Sequence, residues 1–282
     1  MCFEATALLS LVYRVRFAGD NMYKQLLLES RVIMSSVVIT GIQGLPEVQP
    51  GDNLSKLILD AASKQGFTFV DRDILVVTSK IVSKAEGRTI RLDQVSPSPI
   101  AMHYSKLLHM DPRKVEIVLS EARRIVRMSE GLIIAETRHG FICANGGIDQ
   151  SNMEPGIIAL LPKNPDQSAR RIAQKIKNKT GVDVAVVITD TFGRPWREGQ
   201  TNVAIGVAGL NPMKPYFGMK DSFGYELKIT NVAVADEIAS ASELVMGKID
   251  NVPVAVVRGY RYEPAKGSSR RLVRKASRDL FR

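Results

Sequence analysis

The sequence is poor in cysteine and has no long uncharged apolar run. Its 282 residues include two cysteines, Cys2 and Cys143, and neither lies in a C-x-x-C pair. This usage argues against a disulfide framework or a structural zinc site and is typical of a protein of the reducing cytoplasm. The apolar run at residues 5–13 is too short to span a bilayer and follows no basic segment. Neither a membrane span nor a secretory signal is therefore expected.

Two common nucleotide-binding motifs are also absent. Gly247-Lys248 is followed by Ile249 rather than Ser or Thr, and no glycine precedes it at the spacing of a Walker A loop. No G-x-G-x-x-G segment occurs, and the three histidines (His103, His109, His139) are not spaced as metal ligands. A nucleotide site in this chain must therefore be built in another way.

The formal net charge is +10, and most of it lies near the C-terminus. Residues 258–282 contain nine Lys/Arg and two Asp/Glu. Within them Leu272, Ala276 and Leu280 recur at helical spacing, which predicts a basic amphipathic helix over residues 263–282. Such a helix would attract a polyanion. No aromatic interleaving or nucleic-acid motif accompanies it, so nucleic acid is not expected as a partner.

The order of apolar segments predicts an α+β fold without strict βαβ alternation. Residues 1–33 are interpreted as a poorly structured N-terminal extension, and residues 34–262 as the folded domain, with a soft boundary between two lobes near residues 191–205. Apolar, β-branched runs predict strands at 37–42, 74–78, 184–188 and 252–257, and a hairpin at 132–144. Helices are predicted at 53–63, 115–126, 166–179 and 234–246.

Two Asp-centred turns are predicted to carry the chemistry. Asp190, between Thr189 and Thr191, follows a buried strand, and Asp149 lies in the segment N-G-G-I-D-Q-S-N at residues 145–152. A carboxylate at the mouth of a strand can hold a divalent cation, and Mg²⁺ or Mn²⁺ bridging nucleotide phosphates is the natural use of such a pair. The alternative is two ordinary turns, since Asp and Gly favour turns in any case.

Nearby residues suit an anionic ligand. Gly193 is expected to let the backbone turn sharply, with Arg194 and Arg197 supplying cations to phosphate oxygens. Cys143 lies inside a predicted strand and is interpreted as a core residue rather than a nucleophile.

The chain resembles the coenzyme F420-0:L-glutamate ligase family in segments that run in order from about residue 37 to residue 259. The matching segments are G-L-P-E-V at 44–48, V-S-K-A-E-G-R at 82–88, N-G-G-I-D-Q-S-N at 145–152, I-T-D-T-F-G-R at 188–194, A-I-G-V-A-G at 204–209, K-D-S-F-G-Y-E-L at 220–227, V-A-D-E-I-A at 234–239 and V-P-V-A-V-V-R-G at 252–259.

This resemblance implies a GTP-dependent ligase of coenzyme F420 biosynthesis. GTP would phosphorylate the terminal carboxylate of F420-0, and the amine of L-glutamate would displace phosphate from the acyl phosphate to form a gamma-glutamyl-type amide bond. The resemblance also implies an intertwined homodimer of two-lobed α+β subunits. Two Mg²⁺ or Mn²⁺ ions would serve each site, with K⁺ as a further candidate ion.

The family's site residues are carried over by motif. Asp149 and Asp190 are implied as ligands of one metal ion and Thr191 as a ligand of the second. The implied GTP contacts are Leu45, Pro46, Glu47, Val48, Ser79, Lys80, Lys84 and Asn152. One position departs from the pattern, because Lys248 stands where some members place a Glu that binds the second metal. Asp250 is a candidate replacement for that Glu, and the alternative is that the cation of Lys248 contacts phosphate directly.

Two other functions stay open. The first is a metal-dependent phosphatase with Asp190 as its nucleophile, although Phe192 occupies the place where such enzymes usually have another carboxylate. The second is a polyanion-binding protein that acts through the basic tail, and its activity would be lost on deletion of residues 266–282.

Overall fold

The computed structural model describes residues 36–280, so the predicted extension at residues 1–33 lies outside the described residues. From Val37 onward the chain forms one compact unit. Its strands are β1 (Val38–Ile42), β2 (Ile74–Thr78), β3 (Thr89–Arg91), β4 (Ala122–Ser129), β5 (Leu132–Thr137), β6 (Ile142–Ala144), β7 (Ile157–Ala159), β8 (Ala185–Arg194), β9 (Arg197–Ala208), β10 (Lys214–Pro215), β11 (Asn231–Val232) and β12 (Val254–Arg258). Its helices are α1 (Leu54–Lys64), α2 (Ser79–Ala85), α3 (Pro99–Leu108), α4 (Pro112–Glu121), α5 (Pro165–Thr180) and α6 (Val234–Met246). Within residues 36–280, no helix combines the length and apolar character needed to cross a membrane.

A five-stranded mixed sheet forms the centre of the fold, in the order β1-β12-β2-β8-β9. β2 and β8 are parallel, and the other neighbouring strands are antiparallel. Along β2, Leu75 and Val77 pack with α1 and α5, whereas Ile74 and Val76 pack with α6. Helices therefore cover both faces of the sheet, which explains why its central strands are continuous apolar runs rather than alternating ones.

Several predicted elements are confirmed. The side chain of Asn53 caps α1 by accepting a hydrogen bond from the backbone N–H of Lys56. Gly181 ends α5 in the left-handed conformation, with φ of 77°. α6 spans the predicted residues, and β5 and β6 form the predicted hairpin. A smaller three-stranded sheet, β4-β5-β6, carries that hairpin.

The predicted helix at residues 115–126 is wrong in its second half. α4 begins at Pro112 and ends at Glu121, and the following residues form β4, which pairs with β5. Arg123 and Arg124 then lie 3.3 Å and 2.7 Å from the carboxylate of Glu136 on β5. Because Glu136 is buried, these two cations and the sheet hydrogen bonds favour the strand over a longer helix.

The predicted soft boundary between two lobes, near residues 191–205, falls on regular structure. These residues belong to the β8–β9 hairpin, which is paired from Val186 opposite Ala208 to Arg194 opposite Arg197. This hairpin joins the chain before and after it within one sheet, and the division into two lobes stays a prediction.

The predicted basic helix at residues 263–282 is also absent from the described part of the chain. Up to Leu280 the segment contains two three-residue 3-10 turns, Ser269–Arg271 and Ala276–Arg278. Asp166 of α5 fixes its start, because its carboxylate accepts hydrogen bonds from the hydroxyl of Ser268 (2.7 Å) and the backbone N–H of Ser269 (2.9 Å). These local bonds hold the chain in an irregular path that a straight helix could not follow.

Candidate functional site

A cleft of about 790 Å³ opens at the end of the central sheet. Residues of six segments line it: 45–48, 78–84, 143–152, 189–193 of β8, 200–202 of β9 and 243–253. All eleven residues implied as metal or GTP contacts line this cleft: Leu45, Pro46, Glu47, Val48, Ser79, Lys80, Lys84, Asp149, Asn152, Asp190 and Thr191. The structure brings these residues together, while their binding of metal and GTP stays a prediction.

The parallel pairing of β2 and β8 brings polar residues of the two strand ends together in the cleft. Thr78 is opposite Thr189, so the residues that follow them lie side by side. The hydroxyl of Ser79 donates a hydrogen bond of 2.9 Å to Oδ1 of Asp190. α2 begins at Ser79, and Lys80 and Lys84, four residues apart, project from one face of that helix toward the cleft.

Asp190 lies within β8 and not in a turn, which corrects the sequence prediction. β8 continues through Gly193 to Arg194, and the chain reverses at Pro195 and Trp196. Gly193 therefore makes no sharp turn, because β9 pairs with this whole stretch. Arg194 donates to the backbone carbonyls of Glu198 and Gly199, and neither Arg194 nor Arg197 lines the cleft.

The loop after β6 brings Asp149 to the opposite wall. Gly146 and Gly147 have φ of 62° and 75°, and a Cβ at Gly147 would lie 2.8 Å from the side chain of Leu161. Glycine is therefore required at position 147 by both conformation and space. The carboxylate of Asp149 accepts hydrogen bonds from the backbone N–H (2.7 Å) and hydroxyl (3.0 Å) of Ser151, and lies 2.8 Å from Nζ of Lys80.

The pKa values of the two carboxylates are shifted in opposite directions. Burial raises the pKa of Asp190 to about 6, the hydrogen bond from Ser79 offsets only part of that shift, and the charge of Asp149 adds to it. Burial also opposes the charge of Asp149, but Lys80 and Ser151 outweigh it and hold the pKa of Asp149 below its usual value. A cation bound between the two would relieve the cost of ionising Asp190.

Hydrogen bonds link the rims of the cleft. The ammonium of Lys84 forms an ion pair with Glu47 and donates a hydrogen bond of 3.1 Å to the backbone carbonyl of Asn152. The side-chain amide of Asn152 in turn donates to the backbone carbonyl of Lys248, at 3.0 Å. Three loops that are distant in sequence therefore meet at the mouth of the cleft.

Sequence reasoning missed a polar network beside Thr191. The hydroxyl of Thr191 donates to Oδ1 of Asn202 (2.7 Å), whose amide donates to Oε2 of Glu243 (2.7 Å). Nζ of Lys248 lies 2.5 Å from Oγ1 of Thr191 and 3.1 Å from Oε1 of Glu243. Asn202 is 2 % exposed, and a buried amide needs partners. It directly follows the polar residues 197–201 of β9, so its local sequence carries no signal of this burial.

Asp250 does not take the place of the Glu found in other family members. Its side chain lies over Gly247, where a Cβ would meet Oδ2 of Asp250 at 1.8 Å, and Asp250 does not line the cleft. The sequence-based suggestion of Asp250 as a metal ligand is therefore not supported by its position.

Cys143 lines the cleft but is 7 % exposed. Burial, with a further contribution from the charge of Asp190, raises the pKa of its thiol to about 12. The thiol is therefore protonated at neutral pH, which agrees with its interpretation as a core residue. His139 bonds to the backbone carbonyl of Pro162 at 2.9 Å, and His103, His109 and His139 all lie outside the cleft lining.

The donor set suits a metal ion that is shared with a ligand. No group of three or more His, Cys, Asp and Glu side chains gathers as a metal site within residues 36–280. Asp149 and Asp190 nevertheless present two carboxylates to one cleft. Mg²⁺ commonly binds through one or two carboxylates together with substrate phosphates and water, so these residues fit such an ion and do not form an all-protein cage.

Lys80, Lys84 and Lys248 line the same cleft as these carboxylates. In an α+β protein, a wide polar cleft that combines two carboxylates with three lysines suits a phosphorylated ligand together with a divalent cation, and such binding stays a prediction. Residues 42–259 match the sequence profile of the family F420-0:Gamma-glutamyl ligase. The chain belongs to that family.

Curated relatives share most of their length with this chain. A protein of Methanothermobacter thermautotrophicus named Coenzyme F420:L-glutamate ligase is 43 % identical over 249 residues, which cover 87 % of this chain and 99 % of the relative. Proteins of the same name from Methanopyrus kandleri and Methanocaldococcus jannaschii are 44 % and 42 % identical, over 84 % and 87 % of this chain and 94 % and 97 % of their own lengths.

Proposed function

We propose that this chain joins L-glutamate to coenzyme F420-0 in a GTP-dependent reaction of coenzyme F420 biosynthesis. Membership of the F420-0:Gamma-glutamyl ligase family and the names of the curated relatives support the ligase activity and its substrates. The single observation that best supports GTP and metal use is the convergence of Asp149, Asp190, Lys80 and Lys84 in one cleft. The buried free thiol of Cys143 suits action in the reducing cytoplasm.

The proposed reaction proceeds through an acyl phosphate. The γ-phosphoryl group of GTP is transferred to the terminal carboxylate of F420-0, which releases GDP. The amine of glutamate then attacks the acyl carbon, phosphate leaves, the amine gives up a proton to solvent, and an amide bond results. Lys80 and Lys84 act as point charges on the phosphates. Asp149 and Asp190 would hold Mg²⁺ or Mn²⁺, which supplies charge neutralisation at the β- and γ-phosphates.

The two other functions have less support. Phe192 packs edge-on against Phe141, with ring centroids 6.2 Å apart, so the residue two positions after Asp190 closes the core and supplies no carboxylate for a phosphatase. The basic tail forms no continuous cationic helix face between residues 263 and 280. A polyanion would therefore meet scattered charges.

We also propose that the chain acts as a homodimer, as its family resemblance implies. Five large apolar side chains in the segment between β10 and β11 are exposed: Phe217, Met219, Phe223, Tyr225 and Ile229. A cluster of this kind suits a surface covered by a second copy. Light scattering of the purified chain at several concentrations would show a dimer mass, and a monomer at all concentrations would contradict this part of the proposal.

Incubation of the purified chain with F420-0, L-glutamate, GTP and Mn²⁺ tests the ligase activity. Mass spectrometry should detect addition of a glutamyl residue to F420-0, together with one GDP released per bond. Reactions without GTP or with EDTA should give no product. Absence of the glutamylated product, under conditions in which a relative forms it, would overturn the proposed function.

A further inference from the structure

Lys248 lies beside Thr191, the residue that the family resemblance implies as a ligand of a second metal ion. Its ammonium lies 2.5 Å from Oγ1 of Thr191, 3.1 Å from Oε1 of Glu243 and 3.5 Å from Oδ1 of Asn202. Three oxygen atoms thus face a group that carries three N–H donors. A positively charged group already fills this oxygen-lined corner of the cleft.

The hydroxyl of Thr191 has little capacity left for a metal. It donates its proton to Oδ1 of Asn202 at 2.7 Å and accepts a bond from Lys248. A divalent cation on the same oxygen would lie within a few ångströms of the ammonium, where like charges repel. The residues around Thr191 therefore do not fit a second divalent ion while Lys248 is present.

The position of Lys248 is set by its surroundings. It follows Gly247, which ends α6 with φ of 58°, and its backbone carbonyl accepts the bond from Asn152 across the cleft. Its partners are themselves fixed, because Asn202 is buried and bonds Glu243 at 2.7 Å. The lysine is thus held at both its backbone and its ammonium, although its side chain is 59 % exposed.

We propose that the ammonium of Lys248 takes the place of a second divalent cation, so that each cleft of this protein holds one divalent ion, on the side of Asp149 and Asp190. The proposal rests on the proposed function, since it assumes that a divalent ion accompanies the nucleotide. In this proposal Lys248 is the cation nearest Thr191, and Glu243 and Asn202 hold the lysine in position.

The test counts bound Mn²⁺ without measuring turnover. The protein is dialysed to equilibrium against saturating, known concentrations of Mn²⁺ and a non-hydrolysable GTP analogue, so that the free concentration of each is fixed. Bound metal and nucleotide are then measured per subunit. The wild-type chain should bind one Mn²⁺. Lys248→Glu, which replaces the ammonium with a carboxylate beside Thr191 and Glu243, should bind two.

Lys64→Glu is the matched control, because it makes the same charge change at the exposed end of α1, away from the cleft lining, and should bind one Mn²⁺. Two ions in the wild-type chain, or one in a folded Lys248→Glu variant, would overturn the inference and leave the proposed function standing. No Mn²⁺ beside bound nucleotide would overturn the metal site of the proposed function as well. If Lys248→Glu fails to fold, as judged by circular dichroism, the number of Mn²⁺ ions bound per wild-type subunit alone tests the inference.

Discussion

Nζ of Lys80 lies 2.8 Å from Oδ2 of Asp149, so a lysine implied to contact nucleotide is ion-paired with a carboxylate implied to bind metal. The two residues reach this position from different parts of the chain, Lys80 from the first turn of α2 and Asp149 from the loop after β6. Lys80 therefore holds the charged form of Asp149 in place and presents a cation to the same cleft. Replacement of either residue should affect both tasks.

Lys80→Met should weaken GTP binding by about tenfold or more, because a charge-assisted hydrogen bond contributes about 1.5–3 kcal/mol. Isothermal titration with GTP and Mn²⁺ measures this change. Lys64→Met, at the exposed end of α1, is the control and should leave the affinity unaltered. Equal GTP affinities for the Lys80→Met and wild-type proteins would show that Lys80 does not contact the nucleotide.

The same variant should change the response to acid. In the folded wild-type chain the pKa of Asp149 is depressed, so its interactions stabilise the fold above the unfolded-state pKa and are lost as pH falls through the folded-state value. Loss of Lys80 raises that pKa and should make stability less sensitive to pH in this acidic range. Urea denaturation of both proteins at several acidic pH values measures the difference.

Asp190→Asn should lower kcat for glutamate ligation by about 100-fold or more, since loss of a ligand to a charge-neutralising cation removes several kcal/mol of transition-state stabilisation. Ser79 could still bond to the amide, so the fold should survive. Asp60→Asn, an exposed change on α1, should retain full activity. Undiminished turnover by Asp190→Asn would remove Asp190 from the metal site.

Cys143 should resist alkylation in the folded protein. Its pKa of about 12 leaves almost no thiolate at pH 8, and burial blocks access to the sulfur. In a Cys2→Ser background, iodoacetamide should modify Cys143 slowly in buffer and fully in denaturant, as followed by intact mass. Rapid labelling of the native protein at pH 8 would mean that the thiol is exposed or ionised.

Asp166→Ala should lower the free energy of unfolding by about 3 kcal/mol, because it leaves buried donors without an acceptor. The buried carboxylate accepts hydrogen bonds from the backbone N–H groups of Val207 and Ser269, each at 2.9 Å, and from the hydroxyl of Ser268. Asp166→Asn keeps one carbonyl acceptor and should cost less. Urea denaturation orders the two variants, and equal stability of Asp166→Ala and the wild type would contradict this account.

The attachment at Asp166 also affects the deletion proposed for the basic tail. Removal of residues 266–282 would eliminate Ser268 and Ser269 and the buried contacts of Leu272, as well as the positive charge. Charge should therefore be tested by Arg270→Gln and Arg274→Gln substitutions. If the deletion abolishes function and the two substitutions do not, the loss reflects damage to the fold and not the missing charge.

The local sequence pattern was sufficient to predict strands and helices whose residues are buried continuously along one element. The apolar runs of β2, β8 and β12 and the capping residues of α1 and α5 were readable because both sheet faces are covered and the caps use standard residues. The extended path of Arg123 and Arg124 was not readable, because it depends on Glu136 in the next strand. A charge partner in another element has no signature in the local periodicity.

The candidate site likewise has features that the sequence predicts and features that only the tertiary structure shows. Motif resemblance found the residues of the cleft, but Asp190 and Ser79 become neighbours only through the parallel pairing of β2 and β8. The contact of Lys248 with Thr191, Asn202 and Glu243 joins β8, β9 and the end of α6. Such a network requires the tertiary structure, since no spacing in the sequence encodes it.

β12 is inserted between β1 and β2, although it is the last strand of the central sheet along the chain. During synthesis β1 therefore has no neighbouring strand until residues 254–258 have left the ribosome, and one edge of β2 stays unpaired for the same time. A nascent chain of this protein exposes an apolar strand edge for most of its translation. Completion of the central sheet therefore waits for the synthesis of residues 254–258.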